Sequence, residues 1–223
     1  MVDSTAGDGE VERREFAKVG FVGALGVLPG VDLERLHSIL TGTWVDEQSL
    51  DQLAAITQGL MCKSWNIDPQ ALLEVVNAHF RSFGNVLLGV PSALSSRAFS
   101  MAGEAAFLAG YLSLKSGRAE DVDFYWQASN RMAQCAGDNR LRTVLLMVQS
   151  WQAEDEGKTE QALKSSEQAQ LLLGANPEPV VAALTYSTRA YDFAMTGKSQ
   201  EASRDTERAE HYLGVVSTDV VDK

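Results

Sequence analysis

The sequence predicts an all-α fold of about ten helices, in which the C-terminal half forms a helical-repeat array, or α-solenoid. Glycines recur there at a fixed interval of 40 residues, at Gly117, Gly157 and Gly197. Elsewhere, apolar residues recur three and four positions apart, and no stretch alternates apolar and polar residues as a half-buried strand does. A period of this size is typical of stacked supersecondary units, each of which here comprises a helix, a glycine turn and a second helix.

Each of the three glycines lies in a similar sequence context. An aromatic residue stands six positions before it, a small residue seven positions before it, and valine or small residues five and twelve positions after it. The sets are Tyr111, Trp151 and Tyr191; Gly110, Ser150 and Ala190; Val122, Ala162 and Ala202; and Ser129, Ala169 and Ala209. We expect the glycine to end the first helix in the left-handed conformation. Thr159 and Ser199 lie near the start of the second helix, where a hydroxyl can accept from an unpaired N–H.

This pattern resembles the tetratricopeptide repeat, which has a small residue in its first helix, a glycine at the turn and alanines in its second helix. The resemblance covers roughly the C-terminal half of the chain. It departs from the family in its period, which is 40 rather than the usual 34. The extra residues fall around Ala136–Asn139 and Gly174–Pro179. The aromatic residue usual near the start of the first helix is matched only by Tyr186, and Ala106 and Leu146 replace it elsewhere.

The rest of the chain also shows helical patterns. The predicted organisation is a disordered lead at 1–10, an N-terminal helical region at 11–91, the repeats at 92–214 and a tail at 215–223. Within the helical region, a short helix is expected at Asp32–Leu40 and a longer one over Asp46–Lys63. Asp68-Pro69 is a typical helix opening, an N-cap followed by proline at the first helical position. Gly89-Val90-Pro91 is expected to end that helix.

The segment near the N-terminus allows two interpretations. Arg13-Arg14 precedes Phe16 and the apolar run Val19–Val31, which resembles a twin-arginine export signal. However, the region before the arginines is acidic, the apolar run is short and no cleavage site is clear. We therefore expect a cytoplasmic protein that keeps its N-terminus, with an apolar helix packed onto the domain here; export is the alternative.

A wider resemblance emerges from the order of several segments. These are Arg13-Arg14-Glu15-Phe16, Asp32-Leu33-Glu34-Arg35-Leu36, the run from Leu50 to Thr57, the run from Phe107 to Ser113, and Ala136-Gly137-Asp138. The series is similar to the C-terminal part of bacterial helix-turn-helix regulators of the Cro/repressor type that carry tetratricopeptide domains. The match spans Val11 to about Leu213, and no helix-turn-helix precedes it. The resemblance implies that the chain is the sensory or protein-binding half of such a regulator, without the DNA-binding half.

Composition narrows the function classes. A net charge of −11 argues against direct binding of nucleic acid, because phosphate contacts need a basic surface. Cys62 and Cys135 are expected to be free core cysteines, and His37, His79 and His211 have no metal-ligand spacing. No apolar run approaches the ~20 residues of a membrane span. No catalytic motif is present, so we expect no enzyme activity, no metal and no cofactor.

The candidate partner-binding residues are those that the glycine register places on the concave side of the array. They are Phe107, Tyr111, Met147, Trp151 and Tyr191. The three residues six positions before the glycines would form an aromatic ladder along a groove, a type of surface that suits partner binding. The alternative is that the ladder packs between helices as core, because helical spacing alone cannot separate groove from core.

Two functions are therefore expected. The first is a non-enzymatic regulatory module that holds a peptide or protein partner in the concave groove of the array. The second is a small-molecule or signal-peptide sensor domain of a transcriptional regulator. Expected partners are a protein or peptide segment, a separate DNA-binding protein, or a second copy of the chain as a homodimer, without direct contact to nucleic acid or membrane.

Overall fold

The computed structural model describes residues 45–221, with side chains described up to residue 216, and every regular element in this range is an α-helix. The helices are α1 (Glu47–Lys63), α2 (Pro69–Gly89), α3 (Ser92–Lys115), α4 (Ala119–Ala136), α5 (Asn139–Asp155), α6 (Thr159–Leu172), α7 (Pro179–Met195) and α8 (Ser199–Val221). The all-α prediction is confirmed over this range. None of these eight helices combines the length and the apolar character that a membrane span requires.

The helix count differs from the prediction. The described residues hold eight helices rather than about ten. The short helix expected at Asp32–Leu40, the apolar run Val19–Val31 and the twin-arginine segment all lie outside the described residues. At the other end, the helical backbone continues to Val221 and includes most of the tail expected at 215–223.

The chain divides into two compact units, with the boundary between Gly137 and Asp138. Helices α1 to α4 belong to the first unit, and α5 to α8 belong to the second. This boundary lies inside the region predicted as one array at 92–214. The predicted boundary after residue 91 falls between α2 and α3, within the first unit.

In the first unit, α1 and α2 begin where the sequence indicated. The Asp46 carboxylate accepts from the Ser49 amide at 2.7 Å, and the Asp68 carboxylate accepts from the Ala71 amide at 3.0 Å, with proline at the first position of α2. Both helices pack against α3. His79 lies fully buried in α2, with Nε2 2.8 Å from the Thr57 hydroxyl, and burial lowers its pKa to about 3. It is therefore a neutral core residue at neutral pH.

The three register glycines end their helices through the same backbone motif. Gly117, Gly157 and Gly197 have φ values of 71°, 72° and 77°, in the left-handed region. The next amide donates to the carbonyl five residues earlier in each case. These bonds are Arg118 to Ser113 at 2.9 Å, Lys158 to Ala153 at 2.7 Å and Lys198 to Phe193 at 2.8 Å. This is the Schellman arrangement, which satisfies helix-terminal carbonyls.

The expected hydroxyl cap is wrong for α6. Thr159 is the first helical residue, and no side chain caps this helix. The N-cap position is held by Lys158, which also completes the Schellman turn of α5. Because the turn is so short, one residue serves both helices, and a lysine side chain has no acceptor to offer.

The helices pack as the repeat predicts, in the pairs α3 with α4, α5 with α6 and α7 with α8. In the second unit, α7 also packs against both helices of the preceding pair. In the first unit, a Cβ at Gly110 would lie 2.4 Å from the indole Cδ1 of Trp126, which explains why the position seven before the glycine must be small there. Among the other small residues of the repeat pattern, four are fully buried: Ser129, Ser150, Ala162 and Ala169.

The two cysteines are free, as expected, but their predicted place in the core is wrong. Cys62 and Cys135 are both exposed. On both helices, other residues form the buried side, and the cysteines lie on the exposed side. The place of a residue on its helix, rather than the apolar character of the thiol, therefore decides its exposure.

One pair of substitutions tests the left-handed turn. Gly117→Ala should lower the free energy of unfolding by about 1–2 kcal/mol, because a Cβ is disfavoured at positive φ. Gly84→Ala, in the interior of α2 where a Cβ would meet nothing within 4 Å, should raise it by about 0.5–1 kcal/mol. Urea unfolding followed by circular dichroism measures both. Effects of the same sign at the two positions would contradict the role given to the turn.

Candidate functional site

The five candidate residues are distributed over both units. Phe107 and Tyr111 lie on α3 in the first unit, whereas Met147 and Trp151 on α5 and Tyr191 on α7 lie in the second.

In the first unit, Tyr111 lies at the edge of the core. Its half-buried ring packs against a cluster that includes Leu108 and Leu112. The ring centroid lies 6.3 Å from that of Trp65, an exposed side chain in the segment after α1. The Lys115 ammonium lies 5.3 Å from the Tyr111 ring and 5.4 Å from the Trp65 ring. Trp65 has no place in the repeat register, which is why the sequence did not identify it.

Phe107 is half-buried on α3. No described contact connects it to Trp65 or Tyr111, so its place in a groove stays a prediction.

In the second unit, Met147 does not lie on a surface. Its side chain is fully buried and packs with Ala169 and Val181, and the Thr185 hydroxyl lies 3.2 Å from its sulfur. The prediction of a groove position is therefore corrected to a core position. The reason is that this part of α5 faces both α6 and α7.

The two aromatic residues of the second unit are more exposed. Trp151 is 37% exposed, and its indole Nε1 donates to the Thr188 hydroxyl on α7 at 3.0 Å. Tyr191 is 52% exposed. Trp151 thus connects α5 to α7 through this hydrogen bond and keeps part of its indole exposed. About half of the Tyr191 side chain is exposed to solvent.

Tyr191 is one of four large apolar side chains on a single exposed face of α7, which we call the α7 apolar face. Its members and their exposed fractions are Val180 at 52%, Leu184 at 38%, Tyr191 at 52% and Met195 at 57%. At 3.6 residues per turn, they fall within a sector of about 60°. Single exposed apolar residues are common, but an aligned set of large ones is typical of a contact surface.

The α7 apolar face adjoins Trp151. On α7, Thr188 lies one turn from Leu184 and from Tyr191, and it is also the residue that holds the Trp151 indole. Of these residues, the sequence prediction included only Trp151 and Tyr191. Leu184, Val180 and Met195 were missed, although their spacing with Tyr191 is a helical stripe. Such a stripe in sequence is normally assigned to a core.

A pair of carboxyl groups lies beside the same surface. The Ser150 hydroxyl on α5 donates to Asp192 Oδ2 on α7 at 2.9 Å, and Asp192 is fully buried. Glu154, one turn after Ser150, lies within hydrogen-bonding reach of the Asp192 carboxyl. Burial, then the hydrogen bond and the negative charge of Asp192, then the charge of Asp155, raise the pKa of Glu154 to about 8.

Two carboxylates this close cannot both be ionised without strong repulsion. The pair therefore holds one proton at neutral pH, and we place it on Glu154. Among the described residues, that shared proton is the only hydrogen-bond donor available to Glu154 Oε1 and to Asp192 Oδ1, both of which are enclosed from solvent.

On its other side, α7 is held by a buried ion pair. Arg189 Nε donates to Asp205 Oδ2 at 2.5 Å and Nη2 donates to Oδ1 at 3.0 Å, which joins α7 to α8. Arg189 Nη1 also donates to Gln170 Oε1 on α6 at 2.8 Å. These contacts fix the rotation of α7 about its axis and so fix which of its side chains face outward.

Within residues 45–221, His, Cys, Asp and Glu side chains form no group of three suited to a metal ion. Comparisons with protein-family models, with curated proteins and with solved structures found no match. The arrangement available for binding is thus an apolar face flanked by an indole and a carboxyl pair.

The carboxyl pair makes stability depend on pH. The folded chain keeps the Glu154 proton up to about pH 8, whereas the unfolded chain loses it near the ordinary value, so stability falls as pH rises between the two. The free energy of unfolding should fall by about 1 kcal/mol from pH 6 to pH 8, a figure reduced for solvent screening of the partly exposed side chain. Glu154→Gln should remove this fall, whereas Glu167→Gln, on an exposed position of α6, should retain it. Urea unfolding at several pH values measures the free energy of unfolding of the natural chain and the two variants. If its dependence on pH is the same for all three proteins, the shared proton is disproved.

The ion pair gives a separate prediction. Asp205→Asn leaves the buried Arg189 guanidinium without its charge partner and should cost about 3–5 kcal/mol of stability. Glu207→Gln, an exposed carboxylate on the same helix, should change stability by less than about 0.5 kcal/mol. Chemical denaturation of the two variants checks this, and equal effects would show that Arg189 does not fix α7.

Proposed function

We propose that this chain is a non-enzymatic regulatory binding module that holds a peptide or protein segment on the α7 apolar face, with Trp151 as one wall of the site. The observation that carries the proposal is the alignment of four large exposed apolar side chains directly beside a half-exposed indole. When a partner removes such a surface from water, the hydrophobic effect makes the free energy of binding more favourable.

The repeat architecture supports a groove of the tetratricopeptide type. Two helix pairs in the second unit turn at left-handed glycines 40 residues apart, and α7 packs on both helices of the pair before it. In helical-repeat arrays each unit contacts its neighbours in this way, and the extended concave surface binds partners. We assign α5 and α7 to that surface, since they are the first helices of their pairs.

The dimensions favour a chain segment over a small molecule. From Val180 to Met195 the face is about 22 Å long at 1.5 Å per residue. A small-molecule site is instead a concave pocket that encloses most of its ligand. An amphipathic helix laid along the α7 apolar face would present its own apolar residues at matching spacing.

The regulatory part of the proposal rests on the resemblance to repeat-containing helix-turn-helix regulators. A partner would then be a regulatory segment or a separate DNA-binding protein. With a net charge of −11, the chain is not suited to bind DNA directly.

The test is a selection of random 16-residue peptides on the full chain, followed by titration calorimetry of the enriched sequences. Tyr191→Ala should weaken binding at least 30-fold, or about 2 kcal/mol, as central aromatic residues of an interface do. Its effect on stability should be below about 0.5 kcal/mol, because more than half of the side chain is already exposed.

Trp151→Ala should weaken the same binding, with a larger effect on stability, since its indole also contacts Thr188. Leu171→Ala is the matched control, as it removes an apolar side chain that is 78% exposed on α6. The proposal is contradicted if no peptide is enriched, or if Leu171→Ala weakens binding as much as Tyr191→Ala.

A further inference from the structure

We propose that Trp65 and Tyr111 are two walls of an open aromatic cage that binds a quaternary ammonium group, and that Lys115 occupies this cage in the free protein. The cage lies in the first unit, where the connection between α1 and α2 meets the C-terminal end of α3. No residue of the α7 apolar face takes part in it, so this second site does not depend on the proposed function.

The first support is the position of the Lys115 ammonium, which lies over the faces of both rings. Its Nζ is 5.4 Å from the centre of the Trp65 ring and 5.3 Å from the centre of the Tyr111 ring. The two ring centres are 6.3 Å apart, and the ring planes make an angle of 57°. A cation within about 6 Å of an aromatic ring centre is attracted by the negative face of the ring. The two rings thus hold a cation in the free protein.

The second support is that both walls are fixed by the protein and one of them is open to a ligand. The Asn66 and Ile67 amides both donate to the Lys63 carbonyl, at 3.0 Å and 3.1 Å, which fixes the turn that carries Trp65. The Trp65 side chain is nevertheless 74% exposed. Tyr111 is half-buried and packs against the core of the first unit. An indole that is positioned by its backbone but left uncovered is accessible to a ligand, unlike a core tryptophan.

The third support is that the Lys115 side chain can leave the rings at little cost. It is exposed, and within residues 45–221 no carboxylate pairs with its ammonium. The carboxylates of Glu74 and Asp121 pair with Arg118 instead, at 4.0 Å and 2.8 Å. Exposed cation–π contacts are weak, so a ligand that binds the two rings more strongly displaces Lys115.

The tethered lysine also selects the class of ligand. The ammonium of an ordinary amine has the same chemistry as Lys115, but it lacks the tether, which gives Lys115 an effective concentration in the millimolar range. A primary ammonium is strongly hydrated through its three N–H donors and must give up water to pack on a ring. A quaternary ammonium has no N–H group and is recognised by aromatic faces. It therefore loses less on leaving water and displaces Lys115 where an ordinary amine does not.

The charge of the chain favours the same class of ligand. A net charge of −11 attracts cations to the protein and repels anions. The trimethylammonium group is present in small molecules such as choline and in trimethylated lysine side chains of proteins. Both present the same chemical group to the cage.

The experiment titrates the full chain with choline and with its neutral analogue, in which a carbon atom replaces the nitrogen. NMR follows the indole N–H signals of the four tryptophans, and the signal missing from Trp65→Leu is that of Trp65. Choline should shift this signal and should bind at least tenfold more tightly than the neutral analogue, because the ring faces attract a positive charge. Circular dichroism should show unchanged helix content in Trp65→Leu, because the replaced side chain is largely exposed.

Variants test the two parts of the cage, with binding observed through the methyl protons of choline. Trp65→Leu should weaken choline binding at least tenfold. The matched control is Phe124→Leu, which removes another exposed aromatic side chain from the first unit and should leave choline binding unchanged.

A second pair of variants tests the competing lysine. Lys115→Gln should strengthen choline binding about fivefold, because it removes the tethered competitor. Lys63→Gln removes a positive charge two residues before Trp65 and should strengthen binding less than about twofold, because an exposed charge is screened by salt.

Two peptides separate the sources of the ligand group. A short peptide that contains trimethyllysine should bind at least tenfold more tightly than the same peptide with unmodified lysine. If the trimethylated peptide binds more tightly than choline, a modified protein is the source, and the reverse order assigns a free ammonium compound.

Three results would overturn the cage. The first is equal binding of choline and its neutral analogue, since the contact would then be merely apolar. The second is a Trp65 indole signal that choline does not shift. The third is equal binding of choline to Lys115→Gln and Lys63→Gln, which would show that Lys115 does not occupy the cage. None of these results bears on the α7 apolar face, whose peptide binding is measured separately.

Discussion

The second unit depends on the rotation of α7 about its own axis, which polar contacts fix on two sides. Toward α8 and α6, Arg189 is held by Asp205 and Gln170. Toward α5, Thr188 accepts from Trp151 and Asp192 accepts from Ser150. Each of these contacts has a defined geometry, and a rotation of α7 by one residue would break all of them. The remaining side of the helix is consequently the one that faces outward.

That outward side is mostly apolar, with Ser187 as its exposed polar residue, and the inward side combines apolar residues with four polar ones. Thr185, Thr188, Arg189 and Asp192 are all buried, whereas Val180, Leu184 and Met195 are exposed. Burial of polar groups costs free energy unless hydrogen bonds compensate it, and exposure of apolar groups gives up the hydrophobic gain. In the function that we propose, a partner covers the exposed side and recovers this hydrophobic contribution.

Backbone features of the structure could be predicted from sequence with good precision. The glycine register located the helix ends at Gly117, Gly157 and Gly197, because a left-handed position strongly favours glycine. Asp46 and Asp68 marked helix starts, because a carboxylate can accept from a free amide of the first turn. These are local effects, and a short window of sequence contains all of the groups that cause them.

The site was predicted only in part, because it depends on contacts between distant residues. Arg189 and Asp205 are on different helices, and so are Ser150 and Asp192. A local sequence pattern therefore cannot predict either pair. Met147 and Trp151 lie one turn apart on α5, yet one is fully buried and the other is half-exposed. Helical spacing assigns residues to a face but does not say which neighbouring helix will cover that face.

The most direct test of partner binding at the α7 apolar face is to map where a bound peptide contacts the chain. Methyl-labelled full chain can be observed by NMR with and without an enriched peptide, using the methyl groups of leucine, valine and methionine. Shifts are predicted for Val180, Leu184 and Met195, while the methyls of Leu171 on α6 and Leu88 on α2, which are more exposed, should not move. Shifts at Leu171 or Leu88, with those of the α7 apolar face unchanged, would contradict the account.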